Sequence, residues 1–419
     1  MTIAVLGADE ANLELLRGMP GHERQTFVPV LTPAEMQEGE VSIPDLVDRA
    51  VGELDAREEP VDAIVGFWDF PVSTFVPLLA RRYGLHAAPL EAVVKCEHKY
   101  WSRLEQQQVI DEYPRFGLVD LDEPRLPDGV RYPVWLKPVK SYSSELAFHV
   151  RDDEQLAAAV AEIREGIGRL GRPFEWILDQ VDLPPEIAEV GGQACLAEEA
   201  LSGARAATEG YVHDGEVVVY GVLDSISYPQ RSSFLRHQYP SQLPDHVQKR
   251  LIQVSERVID RVGLNWTTFS VEFFLDPTSG DVSLLEINPR HSQAHAELFA
   301  HVDGIANHHA MVQLALGRDP ELRRGKGPYG IAAKWYHRRF DDGVLRRAPS
   351  PEEIARIERD IPGVRLSPVP EVGQRLSELP AQDSYSYELT DVIVGARDER
   401  ELVDKYERAV GALTYEFDD

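Results

Sequence analysis

The densest chemistry in this sequence sits on a hairpin. Phe269-Ser270-Val271-Glu272-Phe273-Phe274-Leu275 and Val282-Ser283-Leu284-Leu285-Glu286-Ile287-Asn288 read as paired strands. The run between them, Asp276-Pro277-Thr278-Ser279-Gly280-Asp281, has turn composition. Its midpoint falls near Ser279, so Glu272 and Glu286 stand nearly opposite each other on one face, which Asn288 shares. Like charges set opposite cost up to about 1 kcal/mol even when exposed, and more when buried among Val, Phe, Leu and Ile. A hard divalent cation removes the conflict: Mg²⁺ (or Mn²⁺) takes carboxylate and amide oxygens together with phosphate. Arg290 follows at once and suits a two-pronged grip on an anion. A solvated face with chance carboxylates would explain one such Glu; it explains Glu272, Glu286, Asn288 and Arg290 together poorly.

The lysines point the same way. Lys137 ends the apolar strand of Tyr132-Pro133-Val134-Trp135-Leu136-Lys137-Pro138, either reaching for an anion or snorkelling from the strand end. Lys95 and Lys99 lie four apart on what reads as one helical face, open either to solvent or to a ligand. Lysines from separate segments and a carboxylate-held metal are what a triphosphate requires.

These residues need elements to position them. Ile3 to Leu6 is a short apolar strand stopped by Gly7 and followed by a helical pattern (Leu13, Leu15, Leu16), the opening of a βαβ unit. Asp62 to Gly66 repeats it, with a helix from Pro71 to Arg82. Residues 1–92 therefore read as a small open α/β domain. Glu91 to Val109 is helical in pattern, residues 122–133 are turn-rich, and Val134–Lys137 and Leu146–Val150 read as strands around a polar loop. Gln155–Ile167 is an amphipathic helix. Short strands follow at Cys195–Leu201, Gly210–Val212 and Val217–Val222, then a polar segment from Asp224 to Pro244. Val247–Val262 and Leu298–Leu316 read as helices. Residues 329–419 mix short strands with a final helix, a small α+β module.

Composition bounds the function. The 419 residues carry 43 Lys plus Arg against 71 Asp plus Glu, a net charge of −28. Such a chain repels phosphate backbones and anionic lipid, so neither nucleic acid nor a membrane surface is an expected partner. No apolar run approaches the roughly 20 residues that span a bilayer, and the N-terminus lacks the basic and apolar regions of a signal peptide. The two cysteines, Cys96 and Cys195, have no zinc spacing and cannot staple a chain of this length. That fits a reduced, cytoplasmic setting. Cys96 reads as a buried, inert thiol.

The order of these elements resembles the ATP-grasp superfamily of ligases: an α/β pre-domain, a helix with a Lys, a lid strand ending Lys-Pro, a Glu-rich hinge strand and a hairpin ending Glu-x-Asn-Pro-Arg. Here the last motif is Glu286-Ile287-Asn288-Pro289-Arg290. The resemblance implies a multidomain α/β and α+β ATP-grasp fold: an N-terminal domain over 1–92, an ATP-grasp domain over 93–328 with a lid near 130–193, and a closing module over 329–419. It further implies ATP with Mg²⁺ as cofactors. Lys99, Lys137, Lys140 and Ser144 would meet the nucleotide, and Glu198, Glu199 and Leu201 would form the adenine hinge. Glu272, Glu286 and Asn288 would hold the metal, and Arg290 with Lys137 would steady the transferred phosphate. The implied reaction activates a carboxylate as an acyl phosphate, releases ADP and joins the acyl group to an amine. Three positions depart from the family pattern. The lid loop Lys140-Ser141-Tyr142-Ser143-Ser144-Glu145 has no glycine, His98 stands where an Asp is usual, and Arg205 falls near the place of a ribose-binding acid.

Free-standing carboxylate–amine ligases, including the L-amino-acid ligases, are the nearest likeness, with small-molecule acid and amine substrates and, by analogy, a homodimer. Biotin carboxylases also end this hairpin with Asn-x-Arg, but Arg290-His291-Ser292-Gln293-Ala294-His295 differs from their continuation in spacing. A non-catalytic ATP-binding scaffold is the reading from another class. For the substrates, Arg236 and His237 in the polar segment suit a carboxylate or belong to a basic surface loop. His291 and the histidines after it line an acceptor pocket, cap a helix or, with a ligand set still incomplete, hold a second metal.

Overall fold

The structure, a computed structural model, describes all residues except 38, 40, 41, 143, 144, 232, 277, 278, 380–385 and 419. Apolar runs at the start of the chain form β1 (Thr2–Leu6), β2 (Thr26–Val30) and β3 (Ala63–Val65), a parallel sheet in the order β2-β1-β3. Around it lie α1 (Glu10–Gly18), α2 (Pro33–Gln37), α3 (Ile43–Asp55) and α4 (Val72–Tyr83). Asp9 caps α1 by accepting from the Asn12 N–H, and Gly84, in the left-handed region, ends α4. This is the expected βαβ start, with β2 added.

Two helices follow, α5 (Leu90–Glu97) and α6 (Lys99–Gln106). The single helix expected over 91–109 breaks at His98, whose backbone is extended (φ −89°, ψ 97°). The His98 Nδ1 accepts from the Trp101 N–H at 3.2 Å and so caps α6. Lys95 and Lys99 consequently do not share a face: Lys95 pairs with Glu91 at 2.8 Å, while Lys99 opens α6 and turns elsewhere.

A second sheet holds β4 (Phe116–Val119), β5 (Val134–Pro138), β6 (Phe148–Val150) and β7 (Cys195–Glu199) in the order β4-β7-β5-β6, with α7 (Asp153–Gly166), α8 (Gly168–Leu178) and α9 (Pro185–Val190) between β6 and β7. The third and largest sheet begins with β8 (Ala204–His213), β9 (Glu216–Ser227), β10 (Phe234–Tyr239), α10 (Asp245–Val262), β11 (Thr267–Leu275) and β12 (Val282–Asn288). The chain continues through α11 (Ala296–Asp303), α12 (His308–Ala315), β13 (Ile331–Arg339), β14 (Val344–Arg347), α13 (Pro351–Asp360), β15 (Val364–Pro368), β16 (Tyr387–Ala396), α14 (Glu399–Gly411) and β17 (Glu416–Asp418). Eight of these strands form one antiparallel sheet, β12-β11-β8-β9-β10-β13-β16-β15.

Three expectations change here. The polar segment 224–244 holds the end of β9 and all of β10, whose Arg, His and Gln side chains belong to a central, hydrogen-bonded strand. The helix expected over 298–316 is two, divided after Asp303 by Gly304 at φ 85°. Strands on both sides of residue 328 share one sheet, so the C-terminal segment extends the central sheet instead of standing beside it. Helices cover both faces. Leu251, Val254 and Val258 of α10 pack on Val271 and Phe273, and Leu298 and Phe299 of α11 pack on Tyr220 and Tyr239 from the other side. Among the described residues no helix is long and apolar enough to cross a membrane.

Candidate active site

The hairpin arithmetic fixes the centre of the site. Glu272 pairs with Glu286 across β11 and β12, Ser270 pairs with Asn288, and a bulge follows directly after Glu272. The Asn288 Nδ2 donates to Glu272 Oε1 at 3.2 Å. Among the described residues Glu272 makes no ion pair. Burial, and then the charge of Glu286, push its carboxyl above the usual range. Burial acts on Glu286 too, but Lys99 and Lys137 overcome it and hold that carboxyl below its usual value. The two acids are thus unlike, one held down by lysines and one pushed up by burial and its neighbour.

Cations converge on Glu286 from the second sheet and from α6. Lys99 Nζ lies 3.2 Å from Glu286 Oε1 and donates to the Ser141 carbonyl at 2.5 Å. Lys137, on β5, meets Glu198 Oε2 at 2.6 Å. Arg103 Nε donates to Glu198 Oε1 at 2.7 Å, and its other nitrogens donate to the carbonyls of Leu284 (3.0 Å) and Leu285 (2.6 Å) on β12. One buried guanidinium therefore bolts β7 to β12. Burial pushes the Glu198 carboxyl up, but Arg103 and Lys137 outweigh it and bring it to about 2. Burial, reinforced by Arg103 and Lys99, holds Lys137 below the usual lysine range despite Glu198. Lys99, Arg103, Lys137, Glu198 and Glu286 line one small cleft between the two sheets. Close-set cations with a lowered lysine suit an incoming anion.

Arg290 faces the N-terminal domain. Its Nε and Nη2 donate to Asp69 Oδ1 at 2.9 and 2.5 Å. Asp69 lies just beyond the carboxyl end of β3, where open α/β sheets present ligand-facing loops. At the hinge, the Glu199 N–H donates to the Arg115 carbonyl and the Ala200 N–H to the Pro133 carbonyl, both at 2.9 Å. Leu201 follows, half-buried, beyond the end of β7.

Other expected residues lie apart from the cleft. Lys140 is 1% exposed, ion-paired to Glu97 and seated over the rings of Phe70 (4.8 Å) and Phe174 (5.3 Å). It therefore anchors the N-terminal domain to the lid and does not reach a nucleotide. Ser144 lies outside the described residues. Arg236 pairs with Glu399 of α14 at 2.6 Å and lies over the Trp335 ring, so it ties β10 to the C-terminal helix and does not await a substrate. His291 is fully buried, with Nδ1 2.9 Å from Thr268 Oγ1 and Nε2 2.7 Å from His308 Nδ1. Both ring nitrogens are taken by the protein, so His291 cannot touch a ligand. His308 continues the relay to Asn12 at 3.1 Å. No three His, Cys, Asp or Glu side chains among the described residues gather as a metal set, and His295 instead meets the buried Glu209 at 2.7 Å. His237 is buried, with Nδ1 2.9 Å from Ser225 Oγ.

Sequence reasoning missed Arg103, Asp69 and Glu97. Arg103 had a signal, four residues beyond Lys99 on the same helical face. Asp69 and Glu97 had none beyond their sign, since their partners are far along the chain. The His98 departure has a structural reading: it caps α6 as a carboxylate would, while its Nε2 donates to the Gly191 carbonyl at 2.9 Å, and burial lowers its pKa to about 4.

Comparison with known proteins gives a consistent picture. Residues 130–296 match a family model described as an ATP-grasp domain. A D-alanine–D-alanine ligase of Kineococcus radiotolerans is 28% identical over 208 residues, 47% of this chain and 51% of the relative; the chain thus spans about half the length of that curated relative. The L-amino acid ligase structure from Bacillus licheniformis superposes over 100% of this chain and 99% of its own, with a TM-score of 0.72 at 16% identity. The biotin carboxylase of Campylobacter jejuni, solved as a β-γ-ATP complex, covers 99% and 92% with a TM-score of 0.62 at 15% identity. Residues 130–296 thus resemble an ATP-grasp domain, and the chain has the ATP-grasp fold from end to end.

Proposed function

We propose that this protein is an ATP- and Mg²⁺-dependent, ADP-forming carboxylate–amine ligase of the cytoplasm. The observation that carries the reading is the facing pair Glu272–Glu286 with Asn288 beside it, set against Lys99 and Lys137. The donor set fits Mg²⁺, which typically takes one or two protein carboxylates and completes its shell with phosphate and water, and Glu272 makes no ion pair among the described residues. The names of the relatives support ligase chemistry, D-alanine for one and L-amino acids for the other. Bound there, the metal would offset charge on the phosphates.

The chain's own groups divide the remaining work. Lys99 and Lys137, held in place by the Ser141 carbonyl and by Glu198, neutralise charge on the nucleotide. Arg290, oriented by Asp69, stabilises the phosphoryl group in transfer. Glu199 to Leu201 offer backbone to the adenine. A carboxylate oxygen attacks the γ-phosphorus and ADP leaves. The amine nitrogen then attacks the acyl carbon, losing a proton as phosphate departs.

ADP and phosphate release should be measured with Mg²⁺ over pools of carboxylates with amines, amino acids, and bicarbonate with biotin. We expect release that requires an acid with an amine or an amino-acid pool, and a fall of at least about a hundredfold in Glu286→Ala, the loss of a charge-stabilising group. Release dependent on bicarbonate and biotin would replace the reading with carboxylase chemistry. ATP bound without turnover in any pool would replace it with a nucleotide-binding protein.

A further inference from the structure

The buried histidines that follow Arg290 are not equivalent. His291 and His308 have both ring nitrogens engaged by the protein. His295 is 4% exposed and engages one: its Nδ1 lies 2.7 Å from Glu209 Oε1, while among the described residues its Nε2 makes no hydrogen bond. Glu209, on β8, is fully buried and has no Lys or Arg partner among the described residues. Donors surround it instead. Its Oε1 accepts from the Ser292 N–H at 2.9 Å, and its Oε2 from the Tyr220 hydroxyl at 3.0 Å and Asn307 Nδ2 at 3.1 Å. A carboxylate so placed accepts from His295 as well, which puts the ring proton on Nδ1 and leaves the lone pair on Nε2. The same carboxylate steadies the imidazolium formed when Nε2 takes a proton.

The register sets this dyad beside the proposed metal acids. Glu209 pairs with Ser270, two residues from Glu272 on the same face of β11. Glu272 pairs with Ala207, and Ala207 with Leu223, so these three form one row across β11, β8 and β9. Glu209 lies two residues to one side of that row. Ser225, with His237 opposite it on β10, lies two residues to the other side. Each step is about 7 Å. The His295 ring reaches both flanks, Glu209 through Nδ1 and His237 edge-on with centroids 5.0 Å apart. It therefore stands over the row that carries Glu272. His237 is the poorer base, because its Nδ1 partner is the Ser225 hydroxyl, which donates or accepts and so fixes no tautomer.

We propose that Glu209 and His295 form the general base of amide formation, with His295 Nε2 taking a proton from the incoming ammonium group and Glu209 holding the imidazolium. The freed lone pair attacks the acyl carbon and the C–N bond forms. The C–O bond to phosphate breaks, and phosphate leaves with that electron pair and the nitrogen's second proton. His295 then returns its proton to water. The proposal rests on the ligase reading and assigns a residue to its second step.

The test measures ADP, amide and hydroxamate separately for the wild type, His295→Gln, His295→Asn and Glu209→Gln, with an acid that the wild type turns over. The nucleophile is either an amino acid, whose amine is an ammonium at neutral pH, or hydroxylamine, which is already unprotonated and needs no base. General-base catalysis contributes about 10²–10⁴-fold. We expect amide formation to fall at least about a hundredfold in both His295 variants, with hydroxamate formation within about threefold of the wild type. ADP should still form as water hydrolyses the acyl phosphate. Glu209→Gln should lose about tenfold in amide formation and keep the hydroxamate reaction. Hydroxamate falling together with amide in both His295 variants makes the dyad structural; that overturns the base and leaves the ligase standing. So does amide formation unchanged in both. A wild type that releases no ADP from any acid with either nucleophile overturns the ligase and the base with it.

Discussion

Arg103→Met keeps most of the side chain's bulk and removes a buried charge. Four hydrogen bonds go with it: those to Glu198, Gln106 and the carbonyls of Leu284 and Leu285. Removing one partner of a buried ion pair costs about 3–5 kcal/mol. The carboxyl gives a second figure. Glu198 falls from its usual 4.5 to about 2. At about 1.4 kcal/mol per pH unit that is about 3 kcal/mol, shared between Arg103 and Lys137. A depressed carboxyl stabilises the fold above its unfolded pKa, and the gain is lost as pH falls from about 4.5 toward 2. In Arg103→Met, Glu198 retains only Lys137 against burial, so its pKa rises and protonation relieves the strain. The variant should therefore be less stable by about 3 kcal/mol at pH 7, with the gap narrowing as pH falls. Glu198→Gln alone should cost a similar amount, because it strands Arg103 and Lys137. The double variant should cost less than the sum by about 2 kcal/mol. Urea unfolding followed by tryptophan fluorescence measures all three, with buried Trp101 two residues away from Arg103. Additivity within about 0.5 kcal/mol, or a gap that does not respond to pH, would refute the electrostatic account of the hinge.

Lys140→Met should lower stability by about 3 kcal/mol or more, because it strands the Glu97 carboxylate, while leaving the KM for ATP nearly unchanged; a large rise in KM at unchanged stability would return Lys140 to the nucleotide site. Burial holds His308 neutral with a pKa of about 3, against 6.5 when exposed. The unfolded chain therefore binds the extra proton as pH falls below 6.5, and stability drops by about 1.4 kcal/mol per unit. His308→Asn should flatten that part of the stability–pH curve, and an unchanged slope between pH 6.5 and 5 would count against it. Burial raises both thiols, Cys195 to about 12, so neither should react with a maleimide at pH 7.5 in the native protein, and both should react in urea.

The facing acids were legible in the sequence because a hairpin converts spacing into opposition: the midpoint at Ser279 predicts Glu272 against Glu286, and the register agrees. The lysines were only half legible. Their convergence on one cleft depends on a helix break at His98, and histidine is not a residue whose presence announces a cap. Lys140 and His291 were misplaced for one reason. Their types suit a ligand, but partners at Glu97, Thr268 and His308, fixed only by tertiary packing, satisfy them first. The polar run at 224–244 hid a strand because Arg236 and His237 of β10 are buried against Glu399 and Ser225, where polarity no longer marks a loop. The joining of residues 331–396 to the sheet is a long-range pairing with no local sign.

Arg103 has one more consequence. The hairpin strand β12 is the last strand of its sheet, and a bare strand at a sheet's rim is a template on which another chain can add by backbone pairing. Two of its carbonyls, Leu284 and Leu285, are occupied by the Arg103 guanidinium, and the Leu284 N–H donates to the Glu112 carbonyl at 2.7 Å. The contacts that tie the hinge to the hairpin also close this rim to foreign strands. Loss of Arg103 would thus be read in light scattering as well as in stability: at high concentration, a protein prone to associate through β12.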